Sequence, residues 1–137
     1  MHLLLLPILG WIAVTDARTH RIANKAVAAL AVTGLATVDV QNFDFGRQLK
    51  AAMIVLLIGL LLSIFCGVGM GDVKLIIVLA LFLLPPELAT YQRFSLIVCL
   101  FAFAYALFLS RGKIRQSVKI PLAPAIFVGT IITLIAK

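Results

Sequence analysis

Asp16 and Asp72 are the residues whose placement offers chemistry. Asp16 sits in WIAVTDARTHRIANKAV, immediately after an uncharged apolar run, and Asp72 sits in CGVGMGDVKLIIV, immediately before one. An acid at such a boundary is costly to desolvate and is a functional candidate by default. For either aspartate alone, solvation by headgroup water or a helix-capping role is an adequate account. Two on one face permit more. Carboxylates that share a proton divide the labour of peptide hydrolysis: one takes a proton from water while the other donates to the scissile carbonyl, because close like charges keep one partner protonated. The spacing leaves open which aspartate takes which role.

The surrounding residues suit this chemistry to different degrees. Gly67, Gly69 and Gly71 leave the backbone before Asp72 bare, so that an extended substrate segment can approach it. Gly67 and Gly71 are also a small-xxx-small pair, for which helix packing is the competing account. The stretch is not a phosphate-binding loop, since no Gly-Lys-Ser/Thr follows. Arg18 and Lys74 each lie two residues after an aspartate and can favour its charged form, although residues two apart on a helix point to different sides, so any pairing is crosswise. Snorkelling anchors are the alternative. Asn24 either hydrogen-bonds near the pair or caps the second helix. His20 reads as an exposed loop residue, and Cys66 and Cys99 as packing residues without CxxC or zinc-ligand spacing, so no metal or cofactor is expected. Trp11, Tyr91 and Tyr105 need no role beyond packing or interfacial anchoring.

The elements that must position these groups follow from composition. Of 137 residues, 64% are hydrophobic and 12% charged, and the mean hydropathy is +1.19, which excludes an ordinary water-soluble globule. Twelve Lys and Arg against five Asp and Glu give a net charge of +7. The cations stand in short clusters between apolar runs, a pattern that reports membrane orientation rather than a nucleic-acid surface. Uncharged runs cover 1–15, 26–38, 51–71, 75–86, 94–110 and 120–136, which predicts six membrane segments. The second and fourth are short against the roughly 20 residues a helix needs to cross, and demand snorkelling, bilayer thinning or water-lined ends. With six spans, eight of the twelve Lys and Arg share a side, against nine if only the four longer runs cross, so the positive-inside rule favours neither count. Either way the cluster 111–119 is cytoplasmic. Only the six-span arrangement puts Asp16 and Asp72 on one face. The opening run lacks a basic n-region and is followed by Arg18, Arg21 and Lys25, the wrong polarity for a cleaved signal, so it reads as a retained first span.

At this point the motifs match a family. Gly69-Met70-Gly71-Asp72-Val73-Lys74 resembles the GxGDxK motif of the type IV prepilin peptidases, and Asp16-Ala17-Arg18-Thr19-His20-Arg21-Ile22-Ala23-Asn24 is similar to that family's D-x-R followed by I-P-N, with Ala23 in place of the proline. Pro121-Leu122-Ala123-Pro124 resembles the PxxP-like opening of the family's last helix. The GxGD element is shared with presenilin-like proteases; two aspartate motifs at the expected places are more specific. The resemblance implies Asp16 and Asp72 as the catalytic pair, with Gly69, Gly71, Lys74, Arg18, Asn24, Pro121 and Pro124 as supporting motif residues. It implies prepilin or pseudopilin substrates whose short basic leader is cut on the cytoplasmic side, in the bacterial inner membrane. Larger family members also methylate the new N-terminus through a segment with paired cysteines. Nothing here matches that segment, and the small size looks more like the short peptidases of Flp/Tad-type pilus systems.

The expectation is therefore an all-α polytopic membrane protein of about six transmembrane helices, residues 1–137 forming one peptidase domain with both aspartates at the cytoplasmic face. Its partners are a pilin precursor and membrane lipid, with no nucleic acid and no cofactor. The competing class is a small transporter or ion-conducting protein using the two acids as a relay. Against it, no acid lies deep within a run and no inverted repeat is evident.

Overall fold

The computed structural model describes residues 5–19, 22–38, 43–109 and 122–136. They form six helices: α1 (Leu5–Thr19), α2 (Asn24–Thr37), α3 (Phe45–Cys66), α4 (Met70–Phe82), α5 (Leu88–Leu109) and α6 (Ala123–Ile135). No strand occurs among the described residues.

Local chemistry sets the helix ends. Asp44 caps α3, its side chain accepting from the Arg47 backbone N–H at 3.1 Å and pairing with Arg47 Nε at 3.1 Å, so this acid does more than sit in solvent. Gly67 ends α3 in the left-handed region, at φ 70°, with its N–H donating to the Leu62 carbonyl; that conformation strains any residue with a Cβ. The uncharged run 51–71 is therefore not one span. It stops at Cys66, and α4 starts at Met70 after the extended Gly69. Gly67 consequently lies outside both helices, which removes the helix-packing account of the Gly67/Gly71 pair. At the far end of α4, Pro85 and Pro86 prevent further helix, and Gln48 Nε2 of α3 donates to the Leu84 carbonyl at 3.3 Å.

The helices pack in the spatial order α5, α6, α1, α2, α4, α3. Gly10 meets Phe127, and Asp16 meets Ala123, so α1 and α6 run in opposite directions. Asn24 meets Lys74, and Gly34 meets Phe82, so α2 and α4 run together. Similar pairs make α3 antiparallel to α4 and α5 antiparallel to α6. The C-termini of α1, α3 and α5 thus share one end with the N-termini of α2, α4 and α6. A continuous core joins Leu5, Leu9 and Ile12 of α1 to Leu30 of α2, Leu75 and Leu79 of α4, Phe94 of α5 and Ile126 of α6.

The 22-residue helices α3 and α5 lie at the two edges. At 1.5 Å per residue each is about 33 Å long, enough to cross a hydrocarbon core. By length and composition these two are the candidate spans. Their apolar residues, including Ile64, Phe65, Phe103 and Phe108, are largely exposed. The remaining helices have 13 to 15 residues, so α2 and α4 are indeed short.

Where apolar groups have no water to escape, helices associate through close packing, and small residues permit it. A Cβ added at Gly34 would lie 2.7 Å from the Phe82 ring, one at Gly59 2.7 Å from Val73, and one at Gly129 2.7 Å from Val98. Gly129→Val should destabilise the protein by about 1–3 kcal/mol through overpacking at the α5–α6 contact. Thermal unfolding in detergent checks this, with Val98→Ala in the same chain expected to recover part of the loss.

Candidate active site

Asp16 continues the inner stripe of α1. Leu5, Leu9, Ile12, Ala13 and Asp16 are its buried residues, at the three- and four-residue spacing of one helix face, so the aspartate occupies a position that the pattern reserves for the core. It is 4% exposed. Its Oδ2 accepts a hydrogen bond from the Ala123 backbone N–H at 3.2 Å. Ala123 is the first residue of α6, and its N–H is one of the donors that a helix start leaves without an intrahelical acceptor. The carboxylate of α1 therefore caps α6 from across the bundle. Pro124, at the second position of α6, has no N–H to satisfy and a φ suited to a helix start. Pro121 lies outside the described residues.

Asp72 enters from α4. It lies in the first helical turn, not before the helix, yet still ahead of the uncharged run that begins at Leu75. Its side chain folds back towards the N-cap: a Cβ at Gly69 would stand 3.0 Å from Asp72 Oδ2, which gives that glycine a steric reason. Asp72 Oδ1 is buried and has no hydrogen-bond partner. Both aspartates stand at the same end of the bundle, although no single helix carries both.

The supporting residues divide. Gly71 admits Ile22, whose Cβ is 3.1 Å from where a Cβ of residue 71 would lie. Asn24 does not cap α2: the N-cap is Ala23, without a side-chain bond, and Asn24 Oδ1 instead accepts from Lys74 Nζ at 3.3 Å. Ala23 has φ −70°, a value proline would also adopt, so the turn survives the missing ring. Among the described residues, neither Arg18 nor Lys74 forms an ion pair with Asp16 or Asp72. Arg18 is exposed. The crosswise charge pairing is therefore replaced by an amide contact. His20, Arg21, Asp39 and the cluster 111–119 lie outside the described residues.

Two participants escaped the sequence reading. The Ala123 N–H is a backbone group without a side-chain signature; its one advance signal was the PxxP-like opening that marks a helix start. Ile22 entered the sequence reading only as the first letter of the I-P-N-like segment, without a role, and its contact with Gly71 is what distinguishes it. No group of three or more His, Cys, Asp or Glu stands close enough to hold a metal among the described residues. Two carboxylates with unequal surroundings can hold a single proton and move it.

A profile of the type IV leader peptidase family matches residues 3–112. Comparison with curated proteins and with solved structures gave no match.

Proposed function

The chain belongs to the type IV leader peptidase family, and on that premise we propose that it is a membrane aspartyl endopeptidase that cleaves the short basic leader of prepilin or pseudopilin precursors. Asp16 and Asp72 are its catalytic pair. The observation that carries this reading is the placement of a buried Asp16 and a half-buried Asp72 at the same end of the bundle. One carboxylate takes a proton from water, the other donates to the scissile carbonyl, and hydroxide adds to form a tetrahedral intermediate. Proton return to the leaving amine then breaks the C–N bond.

Residues 1–137 act as one membrane-embedded domain, with six helices of alternating direction and the aspartate end at the cytoplasmic face. The alternation of helix directions supports this arrangement, and, once six spans are taken, eight of the twelve Lys and Arg fall on the aspartate side, which orients that end to the cytoplasm. Short α2 and α4 leave the aspartate end accessible to water, while the exposed sides of α3 and α5 face lipid. Gly67–Gly69, a non-helical stretch next to Asp72, gives an extended leader segment backbone to run along. Gly69 and Gly71 keep that approach clear. Pilins of the Flp/Tad type are the proposed substrates, and the reading covers leader cleavage alone.

Asp16→Asn and Asp72→Asn should each slow cleavage by about 10²–10⁴-fold, the range for losing a positioned acid or base, while the chain remains inserted. A prepilin size shift on a gel reads the result, and retained cleavage in either variant would refute the pair. Separately, cysteines placed at 16 and 72 should label from the same, cytoplasmic side; labelling from opposite sides would overturn the six-span arrangement.

A further inference from the structure

We propose that Asn24 and Lys74 are positioning residues: their hydrogen bond, with Ile22 seated on Gly71, clasps the start of α2 to the first two turns of α4 and holds Asp16 and Asp72 at their working separation. The proposal rests on the peptidase reading of the two aspartates and adds the device that registers them. Asp16 and Asp72 reach the site on helices whose principal packing partners differ, α6 and α2 for α1, α3 and α2 for α4. Helix α2 is therefore the shared neighbour through which their relative position is set. At the aspartate end, Lys74 Nζ donates to Asn24 Oδ1 at 3.3 Å, and Ile22 lies over Gly71 at 3.1 Å from a would-be Cβ. One contact is polar and the other steric. Both fall within two residues of Asp72, and both involve residues at or just before the start of α2. Near the other end of the same pair of helices, Gly34 against Phe82 provides a second anchor, so α2 is tied to α4 at both ends.

Lys74 is therefore not a charge partner of the pair. On a helix, residues two apart project to different sides, and the ammonium of Lys74 is turned to the Asn24 amide. Because the Lys74–Asn24 bond is exposed, its loss should loosen the register without unfolding the chain.

The test compares Asn24→Ala, Lys74→Met, the two together, and Asn24→Asp, which keeps an acceptor for the ammonium. Each single loss should lower kcat about two- to tenfold, the worth of one hydrogen bond, with KM for the pilin and the pH profile unchanged. The double variant should be no worse than the more damaged single, and Asn24→Asp should retain near-parental activity. A rise in KM at constant kcat would make these residues substrate contacts. A shifted pH profile in Lys74→Met would make the charge itself the agent, and multiplying effects would make the two independent; each of these results overturns the proposal.

A second arm needs no catalysis. Ile22→Cys with Gly71→Cys, in a chain carrying Cys66→Ser and Cys99→Ser, brings two Cβ atoms to within a few tenths of an ångström of disulfide geometry. Mild oxidation should join them, about two- to tenfold more slowly when Asn24→Ala is added. Failure to join, or indifference to Asn24, overturns the clasp even if pilin is cut. Absence of cleavage by the parent chain, with crosslinking as expected, overturns the peptidase reading and not the clasp.

Discussion

A carboxylate buried in an apolar bundle must find a partner or give up its charge, and the structure of this protein depends on how Asp16 meets that demand. The partner is the Ala123 N–H at the start of α6. One contact therefore answers two deficits, since the helix start lacks an acceptor and the acid lacks a donor. It also joins the first helix to the last. Once α1 and α6 are locked end to end, α5 is carried on the far side of α6 and α2 on the far side of α1.

The second aspartate is held differently. Asp72 Oδ1 has no partner, and its Oδ2 lies against the bare backbone of Gly69. The two carboxyls are chemically alike but sit in unequal surroundings, one satisfied by a helix start and one enclosed without a donor. An inequality of this kind allows a proton to reside on a pair and to be passed during a reaction. Residues 3–112 match the type IV leader peptidase family, and in the proposed function this pair carries out the cleavage.

Glycine contributes in two physical ways. At Gly67 it supplies a left-handed φ that ends α3 and frees the three residues before α4. At Gly34, Gly59, Gly71 and Gly129 it supplies absence, the space in which Phe82, Val73, Ile22 and Val98 fit. Helices bearing such notches approach without relying on expulsion of water.

The sequence by itself determined the two aspartates, the helical class and the breaks between most helices, because charge is scarce in an apolar chain and every charged residue interrupts a run. The tertiary structure decided the rest. Residues 51–71 carry no charge, so their break at Gly67 was invisible to charge counting and follows from one backbone angle. Asn24 was a plausible cap until α2 was set beside α4, where Lys74 offers the amide a better partner than its own helix start. The donor to Asp16 is a backbone group 107 residues away, and peptide N–H groups are chemically alike at every non-proline position. Which one meets a given carboxylate is settled only when the helices pack.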